Sequence, residues 1–287
     1  MKLRTLEPRD VEVAGILVHE AYARSARDHG RPPPWPDAAE TTRLVRRYLD
    51  EDPHSGVVAD VDGAVAGVGF VRRRGEAATV GPLAVAAPRR GTGGQLLDEL
   101  VARAEGQGAA ALRLFVEGWN ADAFALFSGR SFTPGDVVAA LERPGGAAPR
   151  IDAARGLEVA PFRPGDLDEL TALDTRLTGL ERRQDLETLV RLVARRRGAL
   201  VGYLGVSGNR LGPALALDVA DLGGLVARAL ADVQGAAAAR LSTAPPTAML
   251  AALGLGFQVS AVGMLMVRGV APPARPPQLY SIVPEVL

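Results

Sequence analysis

The sequence predicts an α/β fold in which a mixed sheet is flanked by helices, and two observations predict it. Residues 77–85 form an apolar run bounded by turn residues, which is typical of a buried strand, and a second such run follows at 111–116. Between them, apolar side chains recur at helical spacing along one face of 96–104, with charged residues opposite. Strands that alternate with helices in this way indicate the α/β class.

Length and composition favour two domains and exclude several kinds of site. The 287 residues exceed the about 100 to 200 typical of one domain, and 47% hydrophobic residues suffice for two cores. The 33 basic residues balance 33 acidic ones, which argues against a nucleic-acid or acidic-membrane surface. Cysteine is absent and three scattered histidines show no ligand spacing, so we expect no metal site. The chain opens on no apolar signal region and has no run of ~18 apolar residues, so we expect a cytoplasmic protein.

A glycine-rich, doubly basic turn joins the first predicted strand to the helix and is the most informative stretch of the chain. It reads Pro-Arg-Arg-Gly-Thr-Gly-Gly over residues 88–94. We expect the helix to begin near Gly93 or Gly94, so that unpaired N–H groups and the positive end of the dipole point into the turn. Glycines there let an anion reach the amides, so the turn indicates a phosphate site.

Two nucleotide-binding motifs do not fit this turn. A triphosphate P-loop needs a lysine after its last glycine, and Lys2 is the only lysine. A dinucleotide fingerprint starting at Gly91 and Gly93 meets Leu96 where a small residue belongs, and Arg113 where an acid should bind ribose. An ordinary surface turn is the alternative, so the sequence that follows has to decide.

That following sequence resembles the GNAT superfamily of acyl-CoA-dependent N-acyltransferases. The family pattern is a turn Q/R-x-x-G-x-G/A and, after a helix and a strand, N-x-x-A-x-x-L-Y-x-x-x-G-F. The chain matches it at Gly91, Gly93, Asn120, Ala123, Leu126 and Phe132. It departs at Pro88, at Phe127 in place of the tyrosine, and at Ser131 in place of the last glycine. The two motifs together are fairly specific.

The resemblance implies that acetyl-CoA binds as co-substrate. Its pyrophosphate would lie on the amides of residues 89–94, and its pantetheine beside the strand that precedes the turn. The implied cofactor-binding residues are Leu83, Ala84, Val85, Arg89, Arg90, Gly91, Thr92, Gly93, Gly94, Asn120 and Phe127.

The strand itself supports this arrangement, because Gly81-Pro82 interrupts an apolar run. Proline removes a ladder donor and usually marks an edge, a bulge or a break in pairing. A strand that separates from its neighbour there leaves backbone groups with which pantetheine amides can pair. A simple bulge without a ligand is the alternative.

The chain contains an internal repeat, which indicates two tandem copies of one fold. Residues 6–11 are echoed at 162–167, Gly81-Pro82 at Gly212-Pro213, and Gly93-Gly94 at Gly223-Gly224. We therefore predict an acetyl-CoA-binding GNAT domain over 1–145 and a degenerate GNAT-like domain over 157–287, each with a mostly antiparallel sheet that is splayed at the cofactor site. A Pro/Gly-rich stretch at 143–150 joins them.

The second copy lacks the residues that would bind phosphate. Val219, Ala220 and Asp221 stand where the first copy has two arginines, and an aspartate at a helix start repels phosphate. Residues 179–182 resemble a Gly-x-Asp-Arg element of two-domain family members, with glutamate for aspartate; the alternative is an exposed charged helix face.

Acyl transfer to an amine needs a group that accepts the amine's proton. An alkylamine of pKa ~10.4 is mostly protonated at neutral pH. Glu76 and Glu117, at the ends of the two predicted strands, are the candidate bases, and a backbone N–H near Val85 is a candidate donor to the carbonyl. Because Phe127 replaces the usual acid tyrosine, Ser128, Tyr22 or water would protonate the thiolate, whose pKa of ~8.5 already makes it a tolerable leaving group.

Two functions are compatible with these residues. The favoured one is an N-acetyltransferase that moves an acetyl group from acetyl-CoA to a primary amine of a small molecule or peptide. The alternative is a non-catalytic module that binds acetyl-CoA or CoA. Neither the acceptor amine nor the oligomeric state follows from the sequence. Trp35, in a proline-rich loop, is either part of an acceptor pocket or a packed core residue.

Overall fold

The chain forms two compact units. The structure is a computed structural model that describes residues 1–86, 91–146, 156–233, 235–245, 247–270 and 278–280. The first unit comprises Met1–Leu114 and Trp119–Phe132, and the second comprises Phe115–Gly118 and Thr133–Leu287. Among the helices that the structure describes, none combines the length and the apolar character needed to traverse a bilayer.

The first unit is a sheet with helices packed on it. Its strands, in their spatial order, are β1 (Lys2–Thr5), β2 (Gly56–Val61), β3 (Ala64–Arg74), β4 (Ala77–Val85) and β5 (Ala111–Glu117, whose last residues belong to the second unit). Neighbours are antiparallel except β4 and β5, which are parallel. The helices are α1 (Val11–Asp28), α2 (Ala38–Glu51), α3 (Thr92–Gly106) and α4 (Ala121–Ser128). The predicted α/β class with a mixed sheet is confirmed.

Helix α2 shows how the local sequence builds this unit. Asp37 caps it by accepting the N–H of Glu40 at 3.0 Å, and its apolar stripe is buried at Leu44, Val45 and Tyr48. The Tyr48 ring meets Phe70 of β3 edge to face, with centroids 5.2 Å apart. One helical face and one sheet face therefore share a single core.

The second unit contains the remaining elements. Its strands, in their spatial order, are β12 (Gln258–Gly269), β6 (Thr133–Arg143), β11 (Ala237–Ser242), β13 (Gln278–Tyr280), β10 (Arg210–Ala216), β9 (Ala199–Ser207), β8 (Val190–Arg196) and β7 (Leu157–Pro161). The helices are α5 (Leu167–Thr178), α6 (Arg183–Leu189), α7 (Val219–Asp232) and α8 (Ala248–Gly254). Its main core is formed by the apolar faces of α7 and α8 and of strands β6, β8, β9, β10 and β11.

The sequence repeat appears as matching local structure. A single 3₁₀ turn precedes the first helix of each unit, at Pro8–Asp10 and at Pro164–Asp166. Asp10 accepts the N–H of Glu7 at 2.9 Å, and Asp166 accepts that of Arg163 at 2.8 Å. In the first unit, hydrogen bonds from the Arg4 guanidinium also hold the pKa of Asp10 below its usual value.

The two Gly-Pro strands match as well. Gly81 and Gly212 both have positive φ, +127° and +126°, and both Gly-Pro peptide bonds are cis. The pairing register shifts beside each of them, between Gly69 and Val71 opposite β4 and between Leu211 and Ala214 in β10. A positive φ is open to glycine at no steric cost, so this residue permits the bulge in both strands.

The compact units divide the chain at a different place from the sequence repeat. By the repeat, β6 belongs to the predicted first domain, 1–145. In the structure β6 lies in the second unit, where it pairs antiparallel with β11 and with β12. A repeat identifies equivalent segments but not the strands with which they pair, so the domain limits 1–145 and 157–287 remain a prediction about the repeat.

Arg182 is buried, and the alternative of an exposed helix face is therefore wrong for this residue. Its guanidinium donates to both carboxylate oxygens of Asp174, at 3.0 and 2.9 Å, and to the Tyr203 hydroxyl at 3.1 Å. Tyr203 donates to the same carboxylate at 2.5 Å, and burial raises the pKa of its hydroxyl well above the usual value. This network joins α5, the segment after it, and β9.

We predict that Asp174→Ala destabilises the protein by about 3 to 5 kcal/mol, because the Arg182 guanidinium would lose its bidentate carboxylate while still buried. Urea unfolding measures the loss. Arg183→Ala is the matched control, because its ion pair with Asp168 is exposed and should contribute only about 0 to 1 kcal/mol. Similar losses in the two variants would contradict a special role for the buried network.

Candidate functional site

The end of β4 is bonded to the sheet from one side only. The parallel pairing of β4 with β5 covers Ala77–Thr79, opposite Ala111–Arg113. Strand β4 then continues through the Gly81-Pro82 bulge to Val85, paired antiparallel with β3. Within the described residues of this unit, no strand pairs with the other edge of residues 80–85. This is the separation of strands that the Gly-Pro sequence predicted.

The unpaired edge presents backbone groups at Leu83 and Val85. The N–H of Ala86 donates to Ala66 O at 2.9 Å, so these two residues form a hydrogen-bonded pair of the antiparallel ladder. Such pairs alternate along the ladder, and Leu83 and Val85 therefore direct their N–H and C=O groups away from β3. Ala84 faces the other way and its side chain is buried in the core. An extended ligand that carries amides could pair with this edge as an added strand does.

Arg24 contacts the end of this edge and was not selected from the sequence. Its guanidinium, on α1, donates to Val85 O at 3.0 Å and is half-buried. It places a positive charge where the strand leads into the glycine-rich turn. Arg24 and Val85 are 61 residues apart and no motif links them, so only the tertiary structure reveals the contact.

The N-terminus of helix α3 is suited to binding an anion. Gly91 is its N-cap, with a left-handed φ of +95°, and the first helical bond runs from Gln95 N to Gly91 O at 3.0 Å. No acidic residue lies in the first turn, so the positive end of the dipole is not neutralised there. The helix starts at Thr92, one residue before the predicted position; Thr92 itself is buried. Arg89 and Arg90, predicted to bind the cofactor, lie outside the described residues.

The first turn of α3 is packed closely against its neighbours. A Cβ at Gly93 would lie 3.8 Å from both Leu83 of β4 and Leu126 of α4, so strand, turn and helix converge here. A Cβ at Gly94 would meet the Arg130 guanidinium, which donates to Asp98 at 2.6 and 3.2 Å. Glycine at 94 thus lets Arg130 lie across the start of α3. Arg130 is a second cation that sequence reasoning missed, although it stands two residues before the motif's Phe132.

Asn120 and Phe127 have structural contacts of their own. The Asn120 side chain caps α4 by accepting the N–H of Ala123 at 3.0 Å. The Phe127 ring is buried and meets Phe132 edge to face at 6.2 Å. Phe127 therefore takes part in packing and brings no hydroxyl to the site.

The three candidate catalytic residues are not brought together by any described contact. Glu76 lies exposed in the turn before β4, at the end where β4 and β5 are paired. Ser128 is exposed at the last residue of α4. Glu117 lies in the second unit, where its carboxylate accepts a hydrogen bond from Arg240 at 2.8 Å.

Trp35 is a packed core residue. It is 4% exposed, its ring meets Tyr22 edge to face at 5.1 Å, and it belongs to the cluster that contains Ala84. The proline-rich loop is therefore anchored against α1 by this side chain. The described part of the chain holds no cluster of three or more histidine, aspartate or glutamate residues suited to a metal ion.

The equivalent helix of the second unit is already capped. Asp218 accepts the N–H of Asp221 at 2.8 Å, and Asp221 pairs with Arg196. Burial raises the pKa of Asp221. The sequence placed Asp221 at a helix start, and this is confirmed: residues 219–221 form the first turn of α7, with Gly223 inside the helix. The start of α7 is capped by the chain's own Asp218, whereas none of the described side chains caps the start of α3.

Comparison with known proteins identifies the first part of the chain. A model of the acetyltransferase (GNAT) family matches residues 17–132, which include the separated strand, the turn and α4. Residues 17–132 belong to the GNAT acetyltransferase family. The resemblance read from the two motifs is thereby confirmed, and with it an acyltransferase fold.

Solved structures show the same fold over nearly the whole chain. A proposed acetyltransferase from Pyrococcus horikoshii has a TM-score of 0.76 at 17% identity, covering 99% of this chain and 95% of its own. A GCN5-related N-acetyltransferase from Sphaerobacter thermophilus has a TM-score of 0.66 at 16% identity, covering 94% and 96%. At these identities the likeness concerns the fold alone. No curated protein matches the chain.

We predict that Asn120→Ala lowers stability by about 1 kcal/mol, because the first turn of α4 loses its cap. Asn120→Ser should restore most of that loss, since serine is also an N-cap residue. Ser128→Ala, at the exposed end of the same helix, should change stability by less than about 0.5 kcal/mol. Urea unfolding distinguishes them, and equal losses for Asn120→Ser and Asn120→Ala would argue against a capping role.

Proposed function

We propose that the chain is an N-acetyltransferase that uses acetyl-CoA as co-substrate and acetylates a primary amine of a small molecule or peptide. One observation carries this proposal: the unpaired edge of β4 and the start of α3, which no described side chain caps, lie in the same GNAT domain. Bound acetyl-CoA supplies an activated acyl group as a thioester. The residues of the chain bind and orient it.

Two kinds of protein group match the two ends of the proposed co-substrate. The backbone of Leu83 and Val85 offers hydrogen bonds to the amides of pantetheine, and the N–H of Val85 is a donor of the kind that polarises a carbonyl. The amides at the start of α3, with Arg24 nearby, offer positive charge to phosphate; Arg130 lies across the same helix start, paired with Asp98. The arginines of the turn, Arg89 and Arg90, stay part of this proposal.

We also propose which residues transfer protons. Glu117 and Glu76 remain the candidate acceptors of the amine proton, and no described contact selects between them. Ser128 remains the candidate donor to the leaving thiolate, because Phe127 has no hydroxyl. The buried packing of Phe127 is also what favours the second candidate function, a module that binds acetyl-CoA without turnover.

Acetyl-CoA binding tests the cofactor site. We expect Gly93→Glu to weaken binding by at least about tenfold, or about 1.4 kcal/mol, because a carboxylate at the start of α3 opposes phosphate. Gly93→Ala should bind within a few-fold of the parent, since an added Cβ meets only ordinary contacts. Gly106→Glu puts the same charge at the other end of the same helix, in open space, and should bind as the parent does. Titration calorimetry that finds no acetyl-CoA binding by the parent would reject the proposed function.

Thiol release with a panel of amines separates enzyme from binding module. An enzyme gives amine-dependent release of CoA thiol; a binding module gives none.

If Glu117 is the base, Glu117→Gln should lower kcat/KM by about 10² to 10⁴-fold and remove the acidic limb of the pH profile, with Glu76→Gln as the matched control. If Ser128 is the acid, Ser128→Ala should lower kcat at unchanged KM for acetyl-CoA while Phe127→Tyr leaves turnover unaltered. If both glutamate variants keep the kcat/KM and the pH profile of the parent, neither residue is the base.

A further inference from the structure

The second unit contains its own pair of separating strands. Strands β10 and β11 pair in parallel at Arg210 with Ala238 and at Leu211 with Ala239. Both strands continue beyond this point, β10 through the Gly212-Pro213 bulge to Ala216 and β11 to Ser242. The geometry repeats that of β4, in which parallel pairing also stops just before a Gly-Pro bulge.

The gap between these strands is filled by the short strand β13. Leu279 pairs antiparallel with Ala214 on one side and with Leu241 on the other. Gln278 continues the pairing along β10, and residue 280 continues it along β11. A segment of three residues thus forms a ladder with both separated strands and satisfies their backbone groups.

The side chain of Leu279 completes the apolar lining of the gap. It is 5% exposed and belongs to the main core of the unit. It faces a small cavity lined by residues of α7, α8, β6 and β11, among them Leu222, Ala252 and Leu241. Helix α7, which borders this cavity, is capped by Asp218, which accepts the N–H of Asp221. The Asp221 carboxylate, in the first turn, pairs with Arg196.

These contacts match an apolar peptide better than a phosphate-bearing ligand. Strand edges on both sides bind backbone amides, the cavity accepts an aliphatic side chain, and the helix start repels an anion. By the sequence repeat, Ala214 and Leu215 correspond to Leu83 and Ala84 of the first copy. The edge at Leu83 is where we propose that pantetheine binds, so a likeness between β13 and bound pantetheine rests on the proposed function. The occupancy of the gap by β13 does not.

We infer that the second unit retains the groove of the fold as a peptide-binding groove, and that the C-terminal strand around Leu279 is its resident ligand. The strand closes this groove to any second co-substrate. It is held by main-chain hydrogen bonds and one buried leucine, so it opens locally and more easily than the sheet around it.

Hydrogen–deuterium exchange on the full chain tests the local opening. We expect Leu279→Ala to speed exchange by about tenfold at the amides of residues 278–280 and at those of their partners in β10 and β11. Exchange in β8 and β9 should be unchanged. Leu250→Ala, an exposed leucine on α8, is the matched control and should leave every strand as it was. Equal acceleration throughout the unit, or none at all, would overturn the inference, because β13 would then be an ordinary part of one cooperative sheet.

Binding in trans tests the groove directly. The full chain carrying Leu279→Asp should bind a fluorescent peptide of residues 275–283, seen as a rise in anisotropy, and should not bind the same peptide carrying Leu279→Asp. The parent chain should bind neither peptide, because its own strand fills the groove. A variant chain that is folded by circular dichroism and fails to bind the parent peptide would refute the groove. Neither experiment uses acetyl-CoA, so its outcome is independent of the proposed function.

Discussion

The structure depends on how two parallel strands separate after a few paired residues. Parallel pairing begins at Ala77 in one unit and at Arg210 in the other, and in each a Gly-Pro bulge ends it. Separation leaves strand groups that need hydrogen-bonding partners, and burying them unpaired would be costly. Water, a ligand or another strand can supply those partners, and an edge of this kind suits the fold to binding extended, amide-bearing molecules.

The two units differ in the charge at the start of the helix that follows the separated strand. In the first, α3 starts at a left-handed glycine with no carboxylate in its first turn, and Arg24 and Arg130 lie close by. In the second, Asp218 caps α7, and the buried Asp221 pairs with the half-buried Arg196. A helix start can satisfy its amides with an external anion or with an internal carboxylate. This difference supports the cofactor site that we propose in the first unit and the closed groove that we infer in the second.

Much of the first unit could be predicted because its signals are local. The Gly-Pro interruption predicted a strand that parts from its neighbour, and the glycine-rich turn predicted a helix start open to anions. Asn120 was chosen for a motif, and the structure adds that it caps α4. Contacts over long sequence separation were not predictable in this way. The bond from Arg24 to Val85 and the position of Arg130 over Gly94 depend on side chains that meet only after folding.

The sequence by itself determined the family of residues 17–132 and the repeat, because both are written in short local motifs. It also determined the places where strands part, because these are set by the backbone demands of glycine and proline. The tertiary structure alone decided which partners complete those strands. Strand β6 pairs in the second unit, Arg182 is buried against Asp174, and β13 enters the gap beside β10. Hydrogen-bond partners across a sheet and ion pairs in a core are chosen by proximity in space, which no local pattern of residues encodes.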